Sequence, residues 1–306
     1  MKWHSFIQKY FGLFFAAGMA LGFIFPGRFI SVADRTMLIL GTVMTLTFIS
    51  IDLQAVAANL KKFHNIGAVV IISKVVLPFL IYRLSLPLGQ DISIGVLLLC
   101  LTPFAGVSPT LTQIVGGDTE FIMLSQVVLT LLAPFYMPFL MMLYAGAAVE
   151  IDPFAMMKSL LFLIIVPFTL SLVLKPLLRR LIERTRGYFG AVNILLISLL
   201  LTGLLALAAD DIKANPAVAL PMTGIVFILG IIMVLTGWFC FFFLDRSKRI
   251  GLAVGNVYMN IGLTAVVAAG FFSSEVIMFV MLYELPANLL PALIGRIRFF
   301  NPEPSR

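Results

Sequence analysis

The stretch TPFAGVSPTLT at 102–112 gathers Thr102, Pro103, Gly106, Ser108, Pro109, Thr110 and Thr112 inside an otherwise apolar segment. A second stretch, GNVYMNIG at 255–262, sets Asn256, Tyr258 and Asn260 between Gly255 and Gly262. Pro103 and Pro109 each remove a backbone donor and open a helix. In hydrocarbon every unsatisfied backbone group costs several kcal/mol, so such a break survives only where it is enclosed by protein or lines a cavity. The chemistry on offer is non-covalent capture: hydroxyls, amides, freed carbonyls and half-helix ends act as ligands, and positive helix ends favour an anion. The structural alternative is a kinked packing helix whose Ser and Thr bond their own carbonyls, with the amides of the second stretch satisfied between helices.

Two charges lie near the middle of apolar segments: Lys74 in VVIISKVVLPF and Glu284 in VMLYELPANLL. A charge at the bilayer centre costs about 2.5–3.5 kcal/mol even on insertion scales, so such groups face a cavity and find partners. Lys74 and Glu284 read as a coupling or substrate-neutralising pair, with a structural salt bridge or a snorkelling Lys74 as the alternative. Asn288 follows Glu284 by one helical turn and shares its face. Gln126 and Ser73 are further polar residues at depth, and join Lys74 and Glu284 as candidates for coupling. Covalent catalysis has no equipment here. Ser73 and Lys74 are adjacent, about 100° apart on a helix, and do not readily pair; His4 and His64 fall near span ends. Cys100 and Cys240 form no metal or disulfide spacing.

The elements that must position these groups are membrane helices. Of 306 residues 61% are hydrophobic and 11% charged, against about a quarter charged in a soluble domain. A globular enzyme and a nucleic-acid binder are excluded despite the net charge of +7. Apolar runs long enough to cross a hydrocarbon core of about 30 Å occur at 11–30, 35–54, 65–86, 92–115, 120–145, 154–177, 188–208, 217–243, 250–271 and 274–296. The expected fold is an all-α membrane protein of ten transmembrane helices, the N-terminal run being the first span and no cleaved signal. Most lysines and arginines, among them Lys61, Lys62, Arg179, Arg180, Arg246 and Lys248, fall in the N-terminus, the even-numbered loops and the C-terminal tail. Arg28, Arg35, Arg83, Lys158 and Lys213 fall in odd-numbered loops. The bias sets both termini in the cytosol and the protein in the cytoplasmic (inner) membrane. Asp52, Asp210 and Asp211 lie at span ends and read as solvated. Phe14, Phe15, Met19 and the run FCFFF at 239–243 read as packing or lipid-facing surface.

The chain also repeats itself. GVLLLCLTPFAGVSPTLTQIVGGDTEFIM at 95–123 matches GLAVGNVYMNIGLTAVVAAGFFSSEVIM at 251–278: each opens on Gly, breaks near its middle, and ends in a polar turn, a Glu and Ile-Met. The following spans match too, Pro134 and Pro138 against Pro286 and Pro291. Self-similarity at half length indicates duplication. Five spans per unit make the copies inverted, residues 1–150 with helices 1–5 and residues 151–306 with helices 6–10. Inverted repeats with a discontinuous helix in each half, here helices 4 and 9, are the mark of secondary transporters that bind at the midplane. The candidate substrate ligands are therefore Thr102, Gly106, Ser108, Thr110, Thr112, Asn256, Tyr258, Asn260 and Asn288, with Pro103, Pro109, Gly255 and Gly262 making the breaks.

With those residues in view, the chain resembles the bile acid:sodium symporter family over nearly its whole length. The likeness is strongest in TPFAGVSPTLTQIVGGDTEFIMLSQVVLTLLAPFYMP and in GNVYMNIGLTAVVAAG followed by YELPANLLPAL. The resemblance implies a core domain of helices 3–5 and 8–10, with helices 4 and 9 crossing at its centre, and a panel domain of helices 1, 2, 6 and 7. It implies alternating access by motion of one part against the other, sodium symport, and organic anions carried in the crevice. The family's sodium ligands carry over only in part. Ser108 matches the Ser of a Ser-Asn pair, but Pro109 replaces the Asn. In span 9 Gly255 stands at the family Glu and Met259 at the Gln, while Asn260 and Gly262 persist. The span 3 Gln falls at Ser73 beside Lys74; in span 5 one hydroxyl ligand falls at Ile122 and another becomes Gln126. Ser108, Gln126 and Asn260 are the remnant sodium positions.

Hard cations want oxygen ligands, usually with a carboxylate, and this set offers few. The expectation is that sodium coupling is weakened or replaced, with Lys74, alone or with Glu284, acting as a fixed or proton-exchanging charge. No cofactor is expected. The partners are a small organic anion and the bilayer, with a monomer or weak homodimer and no nucleic acid. Alternatives are a cation/proton antiporter, disfavoured because Glu284 stands alone, an uncoupled facilitator, a thiol-dependent exporter using Cys100, and a membrane receptor or scaffold. The sequence leaves bile acids, keto acids, pantoate-like acids, sulfonates and sulfated steroids equally open as cargo.

Overall fold

The computed structural model describes residues 3–51, 65–146, 152–214 and 216–294; Asp52, His64, Lys61, Lys62 and the C-terminal tail lie outside them. Among the described residues the chain is helical, and its one extended pairing is a single antiparallel bridge between Phe104 and Met259. The helices are α1 (Trp3–Lys9), α2 (Phe11–Ile24), α3 (Pro26–Ala33), α4 (Thr36–Ser50), α5 (Ile66–Ile71), α6 (Leu77–Ser85), α7 (Gln90–Leu101), α8 (Ser108–Ile114), α9 (Thr119–Ala145), α10 (Pro153–Leu177), α11 (Arg179–Ala214), α12 (Pro216–Phe239), α13 (Arg246–Val257), α14 (Ile261–Phe271), α15 (Ser274–Leu282) and α16 (Glu284–Ile294). A π-helical turn, Ile72–Val76, joins α5 to α6 without interruption.

Five helical stretches are long and apolar enough to cross a membrane, or up to seven if each of two bent pairs counts as one crossing. The bent pairs are α1 with α2, at 77°, and α3 with α4, at 63°. The expected spans at 92–115 and 250–271 are each divided at the predicted break, so neither half crosses alone. A division the sequence did not announce falls at Tyr283, between α15 and α16.

Local chemistry sets several boundaries. The Asp118 and Asp152 carboxylates accept from the Phe121 and Phe154 amides at 2.9 and 2.8 Å and start α9 and α10. Pro134 and Pro138 sit inside α9, and Pro167 inside α10, as membrane helices tolerate. In the π turn the Leu77 amide bonds the Ile72 carbonyl, and Pro78, next in the chain, carries no N–H for the carbonyl four residues back at Lys74.

The helices pack in two groups. The long α11 lies against α1, α2, α3 and α4, and α10 lies against α4. α5 to α9 and α12 to α16 pack among themselves around the breaks. Contacts of α11 with α14 and α15, and of α9 with α10, join the groups. Close approach of α2 to α11 rests on small residues, as helix pairs in lipid do: a Cβ on Gly18 would come within 2.5 Å of the Ser198 hydroxyl, which itself bonds the Phe14 carbonyl at 2.6 Å. Large apolar side chains such as Phe162, Leu143 and Phe242 face outward, the surface a bilayer covers.

Candidate functional site

α7 ends at Leu101, Thr102 turns to extended backbone (φ −63°, ψ 137°), and helix resumes at Ser108. α13 ends at Val257, and helix resumes at Ile261. The two interruptions lie side by side and pair antiparallel. The Ala105 amide donates to the Tyr258 carbonyl at 3.0 Å, and the Asn260 amide donates to the Pro103 carbonyl at 2.9 Å. Each break satisfies backbone groups that its own helix abandons. The Ser108 hydroxyl adds a second donor to the Tyr258 carbonyl at 2.9 Å. Thr102 and Thr264, on opposite sides of the crossing, share a hydrogen bond of 2.7 Å. Gly255 is required by distance alone: a Cβ there would lie 2.9 Å from the buried Phe104 ring.

The carbonyl ends of the two half-helices are both occupied by side-chain donors. Lys74, wholly buried, gives its ammonium to the Cys100 carbonyl at 3.1 Å and the Thr102 carbonyl at 2.5 Å. The same ammonium lies 5.3 Å from the centre of the Phe104 ring, a cation–π arrangement. On the other half the Tyr283 hydroxyl donates to the Val257 carbonyl at 3.2 Å.

Glu284 has different company. Asn288 Nδ2 donates to the Glu284 carboxylate Oε2 at 2.7 Å and to the Glu284 main-chain carbonyl at 2.8 Å. Tyr258 Oη in turn donates to Asn288 Oδ1 at 3.2 Å. Lys74 and Glu284 do not pair with each other. Lys74 is held by main-chain carbonyls and Glu284 by the Asn288 amide, so the two buried charges belong to separate networks.

The remaining expected residues divide by location. Asn260 caps α14 by accepting from the Leu263 amide at 3.1 Å, so its side chain serves the helix start. Asn256 is buried with neither amide atom bonded, and Ser73 Oγ and Thr112 Oγ1 are likewise buried without a partner among the described residues. Thr110 lies on the exposed side of α8, away from Thr112. Gly106 is exposed at the crossing, where a Cβ would meet Thr47 Cγ2 at 3.3 Å and Gln126 Nε2 at 3.9 Å. Gln126 makes no hydrogen bond to another described residue.

Thr47 was not expected, and it carries a further polar group with it, because Asn193 Nδ2 donates to Thr47 Oγ1 at 3.2 Å. Asn193 is the residue that sequence alone could have supplied, being a lone amide in the apolar run GAVNILLI. At the crossing the Lys74 amine is engaged by the Cys100 and Thr102 carbonyls, while exposed Gly106 lies beside Thr47 of α4 and Gln126 of α9. No nucleophile is set against a base, and among the described residues no group of His, Cys, Asp or Glu side chains is placed to hold a metal ion.

Residues 37–215 match the family model described as the Sodium Bile acid symporter family. The chain is also 26% identical over 280 residues to a Bacillus subtilis (strain 168) protein named as an uncharacterized sodium-dependent transporter, YocS, an alignment covering 89% of this chain and 85% of that protein.

Proposed function

This chain belongs to the sodium bile acid symporter family, which makes it an integral membrane transporter and not an enzyme, and on that premise we propose that it carries an organic anion by alternating access. In this reading the ten expected spans form two inverted five-helix repeats, with α7–α8 and α13–α14 as the broken fourth and ninth spans. The group containing α5 to α9 and α12 to α16 is the core, and α1 to α4 with α10 and α11 form the panel. Both termini face the cytosol, across the inner membrane.

The observation that carries the proposal is the antiparallel pairing of 103–105 with 258–260. Interrupted helices that satisfy one another in a protein interior are what a midplane solute site requires, and a packing kink in either helix alone would have no use for them. The anion is drawn by the Lys74 charge and received by Gly106, Thr112, Asn256 and Gln126, with Thr47 and Asn193 closing the crevice from the panel. Solute exchange follows when the panel shifts against the core at Gly106.

The family default is sodium symport, and the relative's name carries sodium. For this chain we assign the resident cation instead to Lys74. Half-helix carbonyl ends are where transporters coordinate sodium, and here the Cys100 and Thr102 carbonyls are held by an ammonium. A thermal-shift screen of organic anions tests the reading. Bound anions raise the melting temperature, with equal effect in sodium and in choline buffers. Absence of stabilisation by bile acids, keto acids, pantoate-like acids, sulfonates and sulfated steroids alike would overturn it.

A further inference from the structure

Glu284 is a second charge at depth, and the anion site just described leaves it without a task. It opens α16, is 5% exposed, and has as its side-chain partner the Asn288 amide. None of the ion pairs among the described residues includes it. Among the described residues the elements packed against it supply no counter-charge. α12 carries no ionisable side chain, and α15 carries Glu275 alone, in its first turn. α13 carries Arg246, Lys248 and Arg249, all in its first turn, at the end away from the crossing. The phenols of Tyr258 and Tyr283 complete the set, and Lys74 is committed to the Cys100 and Thr102 carbonyls.

A carboxyl group withdrawn from water must have its charge matched by a cation or by a proton. Its connections give that proton a consequence. As a carboxylate, Glu284 only accepts hydrogen bonds; once protonated it holds an O–H and needs an acceptor. The acceptor within its own network is Asn288 Oδ1, now engaged by Tyr258 Oη. Tyr258 supplies the main-chain carbonyl that receives both the Ala105 amide and the Ser108 hydroxyl at the crossing. A protonated Glu284 therefore competes with Tyr258 Oη for Asn288 Oδ1, or turns the Asn288 amide to reach it, and so bears on the residue that pins the two breaks together.

We propose that Glu284 is the binding site of the coupling ion, a proton, and that Asn288 and Tyr258 relay its occupancy to the crossing. The proton adds to a carboxylate oxygen from one face of the membrane as the anion binds, and leaves the same oxygen for water on the other face. The proposal rests on the transport reading above and adds to it the identity and seat of the driving ion.

Two measurements test it separately from that reading. In detergent-purified protein, infrared difference spectra taken as pH is stepped should show the carbonyl stretch of a protonated carboxylic acid appearing and vanishing; Glu284 is the one carboxyl in the buried set among the described residues. The band should be lost in Glu284→Gln. In proteoliposomes, uptake of radiolabelled taurocholate, keto acid and sulfonate probes should rise when the outside is made acid, and Glu284→Gln should take them up equally with and without the gradient. Absence of the titrating band in the wild type, or gradient-driven accumulation that persists in Glu284→Gln, overturns the proposal. Uptake of an anion with no response to the pH gradient overturns the coupling while leaving anion transport standing. Failure of every probe to move overturns the transport reading, and the wild-type infrared titration then decides the proton site without it.

Discussion

The ammonium of Lys74 lies 2.5 Å from the main-chain carbonyl oxygen of Thr102, a residue 28 positions further along the chain. The buried Lys74 amine is thus satisfied by backbone carbonyls, without spending a carboxylate on it.

Replacing Lys74 by Gln should expose this arrangement. The loss strips a charged donor from two buried carbonyls, a cost of the order of 3 kcal/mol, and should lower the melting temperature. Sodium chloride should then restore part of the loss in Lys74→Gln and do nothing for the wild type, with choline chloride as the reference. Equal response of both proteins to sodium would contradict a resident cation at this end of the helix.

Asn256 separates a binding role from a structural one. Its amide has no hydrogen bond to give up, and replacing an unpaired buried polar group by an apolar one of similar shape is near neutral or stabilising. Asn256→Leu should therefore melt at or above the wild-type temperature while its anion affinity falls about tenfold, the equivalent of about 1.4 kcal/mol. Isothermal titration with the best anion from the screen measures the second half.

At Gly255 the prediction is steric. A methyl group 2.9 Å from the Phe104 ring overpacks the crossing, and Gly255→Ala should destabilise by about 1–3 kcal/mol. Phe104→Leu in the same chain should recover part of that loss, since residues in contact are energetically coupled. Additive losses in chemical denaturation would show that the two do not share the space.

The proposed motion of panel against core predicts that a cross-link between α4 and the first break arrests transport. A Cβ on Gly106 would sit 3.3 Å from Thr47 Cγ2, so side chains placed at the two positions meet. Thr47→Cys with Gly106→Cys should cross-link under mild oxidation, stop solute flux in proteoliposomes, and resume on reduction. Flux that continues through the cross-link would rule out relative movement at this contact.

Much of the site was legible because lipid makes polar residues conspicuous. Pro103 falls in the first interruption and Pro109 in the first turn of the helix after it, whereas Gly255 and Gly262, expected to make the second break, lie inside α13 and α14 on either side of it; Lys74 and Glu284 stood out as charges in apolar runs. What they bond was not legible. Lys74 is satisfied by backbone carbonyls that every residue possesses, so no side-chain pattern names Cys100 and Thr102 as its partners. Thr110 and Thr112 look alike in sequence, yet the short α8 turns one outward and buries the other. Thr47 escaped notice because a single threonine in an apolar helix normally bonds its own preceding turn, as Thr47 also does to the Val43 carbonyl at 2.8 Å. The division at Tyr283 carried no glycine or proline at its own position, and the phenol's reach to Val257 appears only once the helices are packed.

Because Asn260 supplies the amide that quiets the Pro103 carbonyl, the ribosome must finish the second half before the first can settle. Until residue 260 enters the bilayer, the 103–105 segment keeps open backbone groups in a medium that offers nothing to bond, so the early half should linger as a substrate for insertion factors and proteases. Truncation after residue 146 should yield rapidly degraded protein, and supplying residues 152–306 as a separate chain should rescue it.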